Sequence, residues 1–323
     1  MKTHRAVRFL AFALLLLAFP AAISSPSSAQ IAIGISVRLG PPALPVYDQP
    51  ICPGPGYLWT PGYWAWSDDD GYYWVPGTWV VAPVGMLWTP GYWGWNNGLY
   101  VWNAGYWGPH IGFYGGINYG FGYGGVGFVG GEWRGGAFFY NTAVMHVDTV
   151  HITNVYVNRT VIVNNESHVA FNGGEGGAIA RPTPAEEMAA REPHQPALAM
   201  QVQQEHAASQ NRAMFASANH GAPAVAATAR PGEFSGRGVV AAKAPGAPYH
   251  APAISPREAR ATPAEANRAA AANRPFTPPA RAENASRAES SRPQPESHQP
   301  AAKAKPAPAP KHAPKEEDHH KGR

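Results

Sequence analysis

The sequence is short of the materials from which most domains of its length are built. It has one cysteine in 323 residues, Cys52, so no intramolecular disulfide can staple the chain. Cys52 stands in a Pro-Gly segment with no base beside it, which reads as an incidental surface thiol. Charged residues make up only 14%. Residues 30–171 carry Arg38, Arg134 and Arg159 against Asp48, Asp68, Asp69, Asp70, Glu132, Asp148 and Glu166, a net charge of −4. From residue 172 onward, 19 basic residues face 14 acidic ones. The basic character is thus dilute and lies in the leader and tail, so nucleic acid is not an expected partner. Tryptophan is missing from the last 190 residues, because all 11 lie between Trp59 and Trp133. The 45% hydrophobic content includes alanine, which buries little, so core material is concentrated in one stretch.

Long apolar runs are missing too, apart from residues 9–19. That run is far shorter than the roughly 20 residues a membrane-spanning helix needs. It follows Lys2, Arg5 and Arg8 and precedes the small residues Ser27 and Ala29. This is the pattern of a secretory signal peptide over residues 1–29, with mature protein starting at Gln30 and no transmembrane helix after cleavage.

What is present in excess is glycine, proline and a repeat. Gly 35 and Pro 34 together make about a fifth of the chain, against roughly an eighth in average usage, which excludes a single large globular domain. Four copies of Trp-x-x-Gly-x-Trp occupy residues 59–64, 74–79, 88–93 and 102–107. Copies one and three are near-identical, so the larger unit is a pair of copies. Each copy sets Pro-Gly, or Ala104-Gly105 in the fourth, between aromatic residues of high β propensity, which predicts a turn between short strands. Asn97-Gly98 is a type I′ hairpin signal, and residues 67–71 supply the matching loop in the first unit. These turns set Trp64 against both Trp59 and Trp74, and Trp93 against both Trp88 and Trp102. One row then holds Trp59, Trp64, Trp74 and Trp79, and a second holds Trp88, Trp93, Trp102 and Trp107. A Pro-Gly pair favours a type II turn, whose twist suits a tight hairpin poorly, so the corners are expected to be more open than this register implies.

These four motifs resemble the bacterial WXXGXW (YXWGXW) repeat family, over about a sixth of the chain. Ala104 replaces the proline, and Thr78 the tyrosine, of the other copies. The resemblance implies an exported bacterial protein and brings no established activity or catalytic residue.

The predicted fold is mainly β, with a small aromatic-rich hairpin repeat module, short strands, one or two short helices and a long disordered Ala/Pro-rich tail. The expected segments are a leader (1–29), a Pro-rich stretch (30–56), the repeat module (57–110) and a Gly/aromatic-rich linker (111–136). A short-strand segment (137–171), a partly helical segment (172–221) and the disordered tail (222–323) follow. The linker is expected to be flexible and prone to self-association. Val150-His151-Ile152, Val155-Tyr156-Val157 and Val161-Ile162-Val163 read as short strands. Thr183-Pro184-Ala185-Glu186 is a capping box that predicts a helix through Arg191, and residues 197–219 predict a second.

Candidate chemistry is sparse. Asp68-Asp69-Asp70-Gly71 lacks the distal acid of a Ca²⁺ loop and aligns with Asn96-Asn97-Gly98, so turn formation explains both. His146 and His151 fall on opposite strand faces, and His319 and His320 read as surface residues. No nucleophile–base constellation, phosphate loop or zinc helix motif is present, so no catalytic residue, metal or cofactor is assigned. The two tryptophan rows remain, either as mutually buried core or as an exposed platform for envelope or extracellular polysaccharide or protein. The expectation is an exported, non-catalytic protein that is secreted or sits in the periplasm or outer envelope of a bacterium. Its role would be structural or adhesive, with a carbohydrate-binding module as the alternative.

Overall fold

Residues 57–108 carry aromatic or β-branched side chains at most positions outside the corners, and such side chains fit a pleated, half-buried surface. The computed structural model describes residues 34–160 and 167–272. The leader, Val161-Ile162-Val163, His319, His320 and the tail beyond residue 272 lie outside the described residues.

After a short strand β1 (Ser36–Val37), each pair of motifs folds as one long hairpin bent at its middle. In the first, β2 (Tyr57–Thr60) continues through Pro61-Gly62 into β3 (Tyr63–Ser67), turns over the aspartates, and returns as β4 (Gly71–Val75) and β5 (Gly77–Val81). The second repeats this with β6 (Leu87–Thr89), β7 (Tyr92–Asn96), β8 (Leu99–Asn103) and β9 (Tyr106–Gly108). The tips pair as the turn signals require: Trp64 with Trp74, Trp66 with Tyr72, Trp93 with Trp102, and Trp95 with Tyr100. Asn97 and Gly98 both take positive φ, as a type I′ turn demands.

The Pro-Gly corners are not hairpin turns. β2 pairs with β5 and β6 with β9, so Trp59 faces Trp79 and Trp88 faces Trp107. The expected pairings of Trp59 with Trp64 and of Trp88 with Trp93 do not form. None of Gly62, Gly77, Gly91 and Gly105 has the positive φ that a type II turn needs at its glycine. Glycine is there for room. A Cβ on Gly77 would stand 2.6 Å from the Trp59 ring and 2.9 Å from the Gly62 nitrogen. A Cβ on Gly91 would meet the Trp102 ring at 2.5 Å, one on Gly105 the Trp88 ring at 2.6 Å, and one on Gly62 would overlap Trp74. Each motif's glycine therefore receives the first tryptophan of its partner motif, which gives the repeat its spacing.

The remaining chain wraps the two bent hairpins. The Gly-rich residues 111–136 are packed rather than a flexible linker. They form β10 (Asn118–Gly120) with β11 (Tyr123–Gly124) and contribute β12 (Gly131–Arg134), while Tyr114, Tyr119 and Tyr123 are buried. Those rings point inward, which removes them from any self-associating surface. β12, β13 (Ala137–Asn141) and β14 (Val155–Tyr156) make a three-stranded sheet, whereas Val150-His151-Ile152 lies at a turn. β15 (Phe171–Asn172) runs parallel to β7, and β1 lies against β8.

Helix α1 (Pro184–Ala189) starts at the Thr183–Glu186 capping box, and α2 (Ala199–Ser209) falls within the second expected helix. The rest of that segment is a 3-10 turn (Arg212–Met214) and the short α3 (Ala216–Asn219), which ends at a left-handed His220 before Gly221. Past residue 222 the described chain is ordered where disorder was expected. β16 (Ala227–Thr228) pairs in parallel with β5, β17 (Val239–Val240) pairs with β16, and α4 (Pro256–Ala259) and α5 (Pro263–Ala272) follow. Backbone hydrogen bonds hold this alanine- and proline-rich strap, so it needs few apolar side chains of its own: Lys243 N donates to Val46 O, and Arg38 N to Ala259 O.

Candidate functional site

The eight motif tryptophans come together in pairs. Trp59 and Trp79 meet edge to face at 5.4 Å and Trp64 and Trp74 at 5.2 Å, while Trp88–Trp107 and Trp93–Trp102 are tilted pairs at 5.4 Å. Seven are buried, none above 7% exposed, and Trp102 is half-buried. A fully covered indole has no face to offer a ligand. The rows Trp59, Trp64, Trp74, Trp79 and Trp88, Trp93, Trp107 are core, and the exposed-platform reading does not hold for them. Each buried indole removes roughly 150–250 Å² from water, an upper-bound contribution of about 4–6 kcal/mol. Trp102 stacks on Tyr63 at 5.0 Å beside a cavity of about 100 Å³ between the corners of the two units. Among the described residues the most exposed large aromatic is Trp95, 43% exposed at the second hairpin tip.

A buried indole N–H needs an acceptor; five of the motif indoles find theirs outside their own unit, whereas Trp59 Nε1 is buried with no hydrogen-bond partner among the described residues. Trp64 Nε1 donates to Ala43 O, Trp79 Nε1 to Pro50 O and Trp74 Nε1 to Ala226 O, at 3.1, 2.8 and 2.9 Å. Trp107 Nε1 donates to Gln201 Oε1 and Trp93 Nε1 to Trp64 O of the other unit. The acceptors at Ala43, Pro50 and Ala226 are main-chain carbonyls, and proline keeps its carbonyl although it loses its donor. Tyr123 closes the arrangement. Its hydroxyl donates to Trp88 O at 2.9 Å and lies 3.3 Å from Trp59 O, the same motif position in each unit. Sequence reasoning missed this residue, as it missed Tyr119, whose hydroxyl donates to Gly91 O. A hydroxylated ring in the glycine-rich stretch was the available signal.

The other candidates resolve locally. Asp68 accepts from Trp66 Nε1, Asp69 pairs with Arg257, and Ser67 Oγ accepts from the Asp69 and Asp70 amides, so the acidic loop is a turn. His146 Nδ1 lies 2.8 Å from Gln49 O, and His151 sits beside Asp148, whose carboxyl its hydrogen bond holds below the usual range. Among the described residues no group of three or more His, Cys, Asp or Glu could hold a metal ion, and no helix is long and apolar enough to cross a membrane. Cys52 is buried, not at the surface, and burial pushes its thiol pKa up to about 11.

Against known proteins, the family model of the WXXGXW repeat matches the chain twice, at residues 54–80 and 84–107. Each match spans one bent hairpin, so the family's repeat is the pair of motifs that shares glycines and tryptophans across the corner. No curated protein and no solved structure matches the chain.

Proposed function

We propose that this is an exported, non-catalytic bacterial protein of the envelope or extracellular space, with a structural or adhesive role. The observation that carries the reading is the burial of the tryptophan pairs together with the flanking chain's acceptance of four of their indole N–H groups, those of Trp64, Trp74, Trp79 and Trp107. The repeats act as a rigid aromatic frame, and attachment falls to the surfaces around them. The leader pattern over residues 1–29 supports export, and the chain reaches its fold without a disulfide. The carbohydrate-binding alternative has lost its platform to the core, and keeps only half-buried Trp102 and exposed Trp95.

The test is made on the producing cells. Fractionation with N-terminal sequencing should recover a product starting at Gln30 outside the cytoplasm, and that product should co-sediment with washed envelopes. A cytoplasmic product retaining Met1 refutes export. A saturable response to one soluble glycan, with no envelope association, replaces the structural role by the carbohydrate-binding one.

A further inference from the structure

The strands that lead to the two hairpin tips are near-identical in sequence, but the tips differ in what surrounds them. In the first, Trp66 is 6% exposed, meets Tyr72 edge to face at 4.8 Å and donates its indole N–H to Asp68. In the second, the tyrosine of the same position, Tyr100, packs on Phe171 of β15 instead, at 5.0 Å. The shorter loop Asn96-Asn97-Gly98 holds no carboxylate, and Trp95 Nε1 has no acceptor among the described residues. Trp95 is left 43% exposed.

One side of Trp95 is covered by backbone alone. A Cβ on Gly174 would stand 2.8, 3.1 and 3.2 Å from Cγ, Cδ1 and Cδ2 of the indole. Distances so nearly equal place the Gly-Gly-Glu-Gly-Gly loop of residues 173–177 over one face of the ring, which leaves the exposed area on the other. The loop is built in place: Gly173, Gly174 and Gly176 take φ of +74°, +70° and +77°, and Asn172 Nδ2 lies 3.0 Å from the Gly115, Ala178 and Ala180 carbonyl oxygens. Asn96 Nδ2 donates to Ala269 O at 2.6 Å and ties the tip to α5. Glu175, the loop's only charge, follows Gly174 directly, is exposed, and has no hydrogen bond or ion pair among the described residues.

An open indole face with a free N–H donor at its rim and a carboxylate acceptor within a side chain's length is amphipathic on the scale of one sugar ring. A pyranose with equatorial hydroxyls presents a flat C–H face to such a ring, and a rim of hydroxyls that donate and accept. A protein partner would ask for a wider apolar surface than one indole and the fully exposed Ile179. An acidic sugar would bring a like charge to Glu175. We propose that the second hairpin tip is a glycan-contact site, with an uncharged gluco-configured pyranose stacked on the open face of Trp95 and its hydroxyls hydrogen-bonded to Trp95 Nε1 and Glu175. The proposal rests on the adhesive reading above and supplies its point of contact.

Fluorescence and calorimetric titration of the full chain with cellotetraose and with chitotetraose tests this, with tetragalacturonate as the acidic counterpart. At least one neutral glycan should saturate, at about the millimolar level of a single stacked ring, and the acidic one should not. Trp95→Ala should abolish saturation while near-UV circular dichroism and the unfolding midpoint stay close to wild type. Glu175→Gln, at an exposed residue without contacts, should keep the fold and weaken binding about three- to tenfold. Ile179→Ser should leave glycan binding unchanged. No saturation by either neutral glycan up to about 10 mM overturns the proposal. So does equal binding of tetragalacturonate, or an unchanged response in Trp95→Ala. Co-sedimentation with washed envelopes separates this site from the reading it rests on. Wild type that binds the glycan but not envelopes refutes the envelope role and leaves the site standing. Sedimentation equal in wild type and Trp95→Ala keeps the adhesive role and removes the tip from it, and sedimentation lost only in Ile179→Ser replaces the glycan by an apolar protein contact.

Discussion

At the scale of single residues, the motif's glycine and its tryptophan are one device. Gly77 has no left-handed backbone to excuse it; it is glycine because the Trp59 ring occupies the place of a side chain. Gly77→Ala should therefore destabilise by overpacking, about 1–3 kcal/mol or more, since neither the ring nor the facing Gly62 backbone can retreat. Gly54→Ala, with nothing within 4 Å of the added carbon, should be close to neutral. Denaturant unfolding of the two variants makes the comparison, and equal effects would remove the steric account of the motif. Cys52 gives a second prediction at this scale. With its thiol pKa raised to about 11 by burial, almost no thiolate exists at neutral pH and little of the sulfur is accessible. Alkylation should be slow in the native protein and fast after denaturation; rapid native labelling would place Cys52 at the surface after all.

At the scale of elements, the bent hairpin changes which tryptophans matter. A flat four-stranded row would make Trp107 an end member and Trp93 an inner one. In the structure both are buried, each against a tryptophan across the ladder, and each donates its indole N–H. Trp93→Ala and Trp107→Ala should thus cost about the same, roughly 3–5 kcal/mol, while Trp95→Ala, at a half-exposed tip, should cost much less. Midpoints of chemical unfolding for the three variants test the order. The inner hairpins were legible in the sequence because Asn97-Gly98 and the Ser67 to Gly71 loop fix their register locally. The outer pairs were not, because Pro-Gly read as local turn chemistry while the real constraint was a ring arriving from 11 or more residues away, as Trp74 does at Gly62. The Thr183 capping box was legible for the same local reason. The strap at Ala226 was not, because the group that takes the Trp74 indole and the Gly77 amide is a main-chain carbonyl, which every residue has and no sequence pattern marks.

At the scale of the whole molecule, the core is held by tyrosine as much as by tryptophan, and this ties its stability to alkaline pH. Burial pushes the phenols of Tyr63, Tyr72, Tyr119 and Tyr123 well above their ordinary pKa of 10.0, and that of Tyr92 up to about 12. In the folded chain these groups keep their protons where the unfolded chain has released them. Above pH 10 the unfolded state therefore binds fewer protons, and unfolding becomes easier as pH rises. The stabilisation is complete below pH 10 and is lost on the way to the raised values, at about 1.4 kcal/mol per pH unit for each buried phenol. Several such phenols acting together exceed the few kcal/mol margin of an ordinary domain within a narrow pH range. Tyr123 sharpens the case, because its proton is the one donated to the Trp88 carbonyl between the two repeats, and ionisation there opposes two carbonyl oxygens with a charge. Phenolate absorbance and far-ultraviolet circular dichroism should accordingly change together, in one cooperative step above pH 10. Tyr123→Phe should lower overall stability by about 1–3 kcal/mol at neutral pH by leaving a buried carbonyl unpaired, without abolishing that step. Phenols that titrate one by one near pH 10, with the backbone signal unmoved, would mean that water reaches the tyrosines and that the Gly-rich segment does not clasp the repeats together.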